Sequence, residues 1–432
     1  MTMPKLSICL FSAALGLSAC GGGGDGAEAA APTAAAATEA APAATAESSF
    51  ARAAALPVVP AGGTACDAAT GRVLNVGAGQ TYPVPSAAAA VARDGDVIRI
   101  AAADYRGDVA TWRNNNLTIC GVGGRARLFA DGNSAGGKGI WVVSGTNVTI
   151  DSVEFRNARV TDRNGAGIRA EHSGWLRVRN SGFFDNENGI LTNNTAGTSL
   201  VIEGSEFARS VVTGGLGHNL YVGRIDSLTV TGSYFHEATV GHNLKTRARE
   251  SVIENSYFMD GPAGRSSYLA DFPNGGRVVL RGNLFHKGPL AENPSAIAYG
   301  AEGLVHATNT LALTHNTVAI TRSGGAFLFV RTGTQSVVLK ANLFAGTGNQ
   351  ALMVGTFASG NAVQTGNVTG LASQIPGASN IASPNFWPNS DLQASLDLGS
   401  VLDASYVRDA PRPFQLRTIS GARKAGALQS AP

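Results

Sequence analysis

The tetrapeptide Gly-His-Asn-Leu occurs twice, at Gly217–Leu220 and, 24 positions on (217 to 241), at Gly241–Leu244. Each copy leads into a β-rich run that closes on Ser-Tyr-Phe, at Phe235 and at Phe258. Such self-similarity marks a structural repeat first. The copies differ where chemistry could sit: Tyr221 in one corresponds to Lys245 in the other, and Gly223 to Arg247. Stacking explains why Gly-His-Asn-Leu is kept. It gives no reason for a lysine and an arginine, with no acid between them, on only one of two matched strands. Lysine, tyrosine and histidine move protons, and arginine fixes anions, so Lys245, Arg247, Tyr221 and His242 are candidate catalytic groups for acid–base work on an anion. The bland reading is that the histidines and amides are ladder or turn residues. It has equal weight for His218 and His242, and more for Asn219 and Asn243.

These residues need a scaffold. From Val148 onward a signature recurs: alternating apolar residues, a small or amide residue, then an aromatic. It ends at Phe155, Phe184, Phe207, Phe235, Phe258, Phe285, Val318 and Phe344. One unit has too few strands to bury its apolar face, whereas stacked coils would bury a continuous core. The aromatics then form a ladder, with the Ser or Asn beside each hydrogen-bonding along the stack. Upstream strands align on Ile140, Ile168, Ile190, Leu220, Leu244 and Leu328, taken as pointing inward. The neighbours then point outward. One outward column reads Trp141, Arg169, Leu191, Tyr221, Lys245, Phe329. The next reads Val143, Glu171, Asn193, Gly223, Arg247, Arg331. The YLADFPNGG strand has no defined register, and Asp271 or Tyr268 falls beside Lys245. Candidate binding residues are therefore His218, Asn219, Asn243, Arg169, Glu171, Asn193 and Asp271, with His218 and His242 stacked on each other.

The repeats resemble the right-handed parallel β-helix of the pectate-lyase-like superfamily, over about residues 70–370. The resemblance implies an all-β, single-domain solenoid at 61–370. The entry TYPVPSAAAAVARDGDVIRI resembles the segment that opens many such proteins. There a short helix capped by Ser86 closes the coil and Asp94-Gly95 turns into the first strand. The tail at 371–432 is expected to wrap the far end or lie along the outside. The competing architecture is a β-sandwich or a β-propeller, and a propeller would need longer repeats.

Residues 1–19 have Lys5 followed by an apolar run too short to span a bilayer, the proportions of a signal peptide. The sequence LSAC resembles the lipobox of bacterial lipoproteins, which implies lipidation of Cys20. Gly21 after it implies the outer membrane, with a periplasmic or extracellular location if the signal is an ordinary secretory one. Residues 20–60 are Ala/Gly/Thr/Pro-rich and carry almost no large apolar residue, so they read as a disordered tether. With Cys9 in the signal and Cys20 lipidated, Cys66 and Cys120 remain as an even pair in an oxidising compartment. A disulfide is expected between them, the alternative being two buried thiols.

Only 15% of residues are charged and the net charge is +3, so no basic stripe marks a nucleic-acid binder. A monomer tied to a membrane only by lipid is expected. The polar face suits an anionic polysaccharide. On a uronate, cations and amides acidify the proton beside the carboxylate, a base removes it, and the chain breaks by β-elimination. Lys245 is the leading base, its proton affinity lowered by Arg247, with Arg247, Asn219 and Asn243 on the carboxylate and Tyr221 or His242 as the second proton carrier. An epimerase would share the first step. A glycoside hydrolase needs clustered carboxylates, and only Glu171 and Asp271 are in view. Calcium-dependent members of the superfamily use an acidic cluster that is missing from this face, so no cofactor is expected, with calcium as the alternative. A non-catalytic glycan-binding or structural β-helix lipoprotein is the other class.

Overall fold

A computed structural model of the chain describes residues 63–213, 217–355, 361–398, 408–409, 415–416 and 424–429. The leader, Cys20 and the tether lie outside the described residues. The signature builds the corner of each coil. Its small residue turns the chain: Asn180, Gly204, Gly232, Asn255 and Gly282 have φ between 48° and 64°, a left-handed conformation that Gly and Asn adopt at low cost. The next residue forms a buried polar ladder. Ser205 Oγ accepts from the Ser181 N–H at 3.2 Å, and Ser233 Oγ accepts from Ser205 at 3.2 Å. Asparagine takes over further along, with Asn316 Oδ1 accepting from Asn283 N–H at 2.9 Å.

Two residues past Ser181, Ser205, Ser233, Ser256 and Asn283 comes the aromatic. Phe155, Phe183, Phe207, Phe235, Phe258 and Phe285 stand opposite one another in register. Their rings stack at centroid spacings of 4.5 to 5.1 Å inside the coil. In the second of these coils it is Phe183, not Phe184, that joins the stack. Phe184 faces outward, with the Arg156 guanidinium 4.6 Å from its ring.

Each coil visits a first, a second and a third sheet, of 12, 11 and 10 strands. Every pairing between consecutive coils is parallel. The result is a right-handed parallel β-helix. Its interior is one continuous apolar cluster from Leu74 to Phe344.

The N-terminal mouth is closed by the Pro85–Ala89 helix, whose Ala88 is fully buried in that cluster. Ser86 is not its cap. Val84 holds that position, Pro85 starts the helix, and Ser86 gives its N–H (3.0 Å) and its hydroxyl to Asp108. Cys66, on the Ala65–Ala68 helix, is disulfide-bonded to Cys120 of the first sheet, with Cα atoms 6.0 Å apart. The described tail lies along the outside rather than over the far end. From Tyr234 onward the outer surface of the second sheet carries an apolar strip, and Tyr257, Met259, Leu284 and Leu343 pack against Ile375, Phe386, Leu392 and Leu428. Tyr234 Oη donates to the Ile381 carbonyl at 3.0 Å, and the Ala427 N–H to Thr317 Oγ1 at 3.0 Å.

Candidate active site

The outer face of the third sheet carries the site. Ile168, Ile190, Leu220 and Leu244 point into the core in one register. The next strands continue it with Ala270, Ile297 and Leu328. At the N-terminal end the register is one residue off the sequence alignment. Trp141, not Ile140, pairs with Ile168. Trp141 is wholly buried against Trp112 and Phe155 and is not part of the outward column. Val142 takes that place, and Val143 points inward. The strand Gly139–Val143 is buried at every position, so no polar residue marked its parity.

Downstream, Tyr221, Lys245 and Asp271 form one row across three consecutive strands. This settles the register left open, since Asp271 stands beside Lys245. The Lys245 ammonium lies 5.8 Å from the Tyr221 ring centre, so both side chains share a face. Lys245 Nζ is 3.6 Å from Asp271 Oδ2 and 2.7 Å from Glu302 Oε1. Arg247 reaches Glu302 Oε2 at 2.6 Å, donates Nε–H to Tyr221 Oη at 3.1 Å, and donates to Asn274 Oδ1 at 2.7 Å. Arg247 therefore does not flank Lys245 as a bare charge. It is neutralised by Glu302, and the groups touching the Lys245 ammonium are carboxylates. Lys245 points out of the coil, yet it is only 8% exposed because Glu302 covers it.

The histidines sit behind this row. The imidazoles of His218 and His242 stack at 4.9 Å, and His242 stacks in turn on Tyr268 at 5.5 Å. His218 Nδ1 accepts the His242 backbone N–H at 3.1 Å, so its ring proton is on Nε2, and the Nδ1–Nδ1 contact of 3.0 Å is a hydrogen bond donated by His242. His242 Nε2 is then the unprotonated nitrogen, 3.5 Å from Asp271 Oδ2. Burial, reinforced by Lys245 and Arg247, pushes His218 down to about 3. Burial also holds His242 well below its ordinary value. Both rings are neutral near pH 7.

Asn219 and Asn243 are fully buried and do not reach the face. Asn219 Nδ2 donates to Asn243 Oδ1 at 2.8 Å and to the His236 carbonyl at 2.9 Å. They are wall residues, which overturns their role as carboxylate holders. Arg169, Glu171 and Asn193 share the face toward its N-terminal end: the Arg169 strand lies three strands before that of Lys245, about 14 Å at about 4.8 Å per strand, and the Asn193 strand lies next to that of Tyr221. Arg169 donates to Asn193 Oδ1 at 2.6 Å and lies 3.5 Å from Glu171.

A buried clamp fixes the strand that carries Asp271. Lys287, fully buried, donates to the carbonyls of Ser266 at 3.0 Å and Ser267 at 2.5 Å, with Asp260 Oδ2 at 3.9 Å. Asp260 in turn accepts from the N–H groups of Ser266 and Gly288.

Asp271 is 2% exposed and its Oδ1 has no hydrogen-bond partner. Burial pushes its carboxyl up to about 7, against the pull of Lys245. The folded chain thus keeps a proton that the unfolded chain releases near 3.8. Over that interval the native state binds more protons, so this group's contribution to stability falls as pH rises and levels off above about 7. Urea denaturation of wild type and Asp271→Asn should show a stability difference that moves against the wild type from about pH 4 to about pH 7 and is then constant. A difference that is flat or rising over that range contradicts the assignment.

Glu302 and Asn274 were not legible as site residues. Glu302 lies in the ten-residue turn 300–309 between Tyr299 and Thr310, where the equivalent turn after Thr246 has three residues, 247–249. That excess length was the available signal. Among the described residues no three His, Cys, Asp or Glu side chains group as metal ligands would.

No protein-family model and no curated protein matches the sequence. Solved structures do resemble the chain. The pectate lyase Pel9A is similar at a TM-score of 0.53 and 12% identity, over 84% of this chain and 97% of that one. An alginate lyase from Paenibacillus sp. FPU-7 is similar at 0.47 and 16%, over 67% and 99%. The A-module of a mannuronan C-5 epimerase from Azotobacter vinelandii is similar at 0.39 and 15%, over 66% and 93%. The chain therefore has the parallel β-helix fold seen in that pectate lyase.

Proposed function

We propose that the chain is a polysaccharide-active protein that cleaves a uronate-containing polymer by β-elimination. The observation that carries this reading is the row Tyr221–Lys245–Asp271 on one face, with Arg247 hydrogen-bonded to Tyr221. The Arg247 guanidinium and an N–H of Lys245 face one point, where the Glu302 carboxylate now sits, and a substrate carboxylate neutralised there has a more acidic neighbouring C5 proton. Lys245 first passes a proton to Asp271 and then takes the C5 proton. The C5–H electron pair becomes the C4–C5 double bond, the C4–O bond breaks, and Tyr221 protonates the leaving oxygen. With Arg247 Nε donating to its oxygen, the Tyr221 hydroxyl keeps its own proton free to donate elsewhere. The pectate lyase of like fold acts, by its name, on pectate, which supports the substrate class and transfers no residue.

The test is a screen of the purified protein against uronate polymers, following the ultraviolet absorbance of the unsaturated product and, in parallel, the sugar composition. New absorbance supports elimination. Altered composition without absorbance supports an epimerase, and binding with neither supports a glycan-binding module.

We also propose that the protein is an outer-membrane lipoprotein anchored through Cys20, on the LSAC sequence and the tether that follows it. Cys20→Ser should move the protein from the membrane to the soluble fraction. A variant that stays with the membrane overturns the anchor.

A further inference from the structure

Glu302 is placed unlike any other carboxylate on this face. Each of its oxygens is held by a different cation, Oε1 by Lys245 at 2.7 Å and Oε2 by Arg247 at 2.6 Å. It comes from a turn rather than from the sheet, and its side chain is 46% exposed while those of Lys245 and Arg247 are 9% and 17% exposed. The turn backbone is fixed independently of this side chain. Glu302 N–H donates to the Pro273 carbonyl at 2.9 Å, Val305 N–H donates to the Asn274 carbonyl at 3.1 Å, and His306 Nε2 meets the Arg247 carbonyl at 3.2 Å. Leu304 packs against the interior cluster. The Glu302 side chain can therefore rotate into solvent while the turn stays in place.

We propose that Lys245 and Arg247 form a carboxylate-binding subsite, and that Glu302 occupies it in the free protein as an internal competitor which an incoming carboxylate must displace. A free carboxylate presents the same two oxygens in the same plane and meets the same two donors. The charge balance supports exchange over addition. With Glu302 seated, the two cations already face Glu302 and Asp271, and a further anion would enter beside two acids. With Glu302 swung out, the incoming carboxylate restores the balance. The subsite takes a carboxylate of any origin. Identifying that ligand as a uronate unit rests on the elimination reading above.

The experiment uses the full chain and its Glu302→Ala and Glu302→Gln variants. Glutamine keeps the length of the side chain and guards against misfolding of the alanine variant. The first probe is acetate, read as a rise in thermal midpoint relative to chloride at equal ionic strength and pH 7. Acetate is expected to stabilise both variants more than the wild type, because Glu302 holds the wild-type subsite most of the time. The second probe is an oligogalacturonate or oligomannuronate, read by calorimetry. If the competitor holds the subsite about nine-tenths of the time, its removal tightens binding by ~10-fold. Equal acetate response in wild type and both variants overturns the proposal, as does weaker oligouronate binding by the variants. If acetate discriminates but no uronate binds any of the three, the subsite stands and the elimination reading falls. If uronates bind but acetate fails to discriminate, the subsite falls, and the elimination reading is decided by the absorbance screen alone.

Discussion

Lys245→Ala should lower turnover of a uronate polymer by on the order of 10² or more, the scale of losing a general base. Lys245 meets Tyr221, Asp271 and Glu302 together. The substitution removes the proton acceptor and one of two donors to the carboxylate. Asp271, already pushed up to about 7, can take a proton when its partner is lost, so the fold should tolerate the change. Lys245→Arg separates charge from base. A guanidinium restores the positive charge but does not give up its proton near neutrality. Recovery of binding without turnover in Lys245→Arg supports the base. Full turnover in either variant removes the assignment.

The largest effect on stability is expected from Lys287→Met. Methionine keeps the apolar stem in place and deletes the ammonium that holds the Ser266 and Ser267 carbonyls and faces Asp260. All of these groups lose a partner away from water. Breaking one side of a buried pair costs about 3–5 kcal/mol. Combining Lys287→Met with Asp260→Ala should cost less than the sum of the single changes, since the second removes the carboxylate that the first abandons. Chemical denaturation showing a loss under about 1 kcal/mol for Lys287→Met would mean that water replaces the ammonium, and the clamp would not position the Asp271 strand.

The coil was readable because each turn of it makes the same local demands. A left-handed corner residue, an inward serine or asparagine and a core aromatic recur in fixed order, and each is restricted in type. The row Tyr221–Lys245 was readable because Leu220 and Leu244 mark the inward parity. Parity was not marked at Gly139–Val143, where both faces are buried, and Trp141 was misplaced there. Asp271 was ambiguous because its inward neighbour, Ala270, is small and sits beside Leu269. Asn219 and Asn243 share the outward parity of Tyr221 and Lys245, but at the strand entry the chain is still turning and their amides bond into the wall. Glu302 was missed for a different reason. Periodicity describes strands, and this carboxylate reaches the site from a long turn.

A solenoid whose coils touch only their neighbours can fray from a free end, losing one coil at a time. The tail laid along the second sheet removes that route. Its hydrogen bonds reach Tyr234 through Ile381 and Thr317 through Ala427, and its apolar residues span the coils between. The C-terminal coils are thus lashed to those bearing Lys245 and Asp271, and none can peel away until the strap lifts. Opening of this half should behave as a single event, with amide protons from Tyr234 to Leu343 exchanging together and not in a gradient toward the end. A protease that nicks the strap would turn that one event into sequential unzipping.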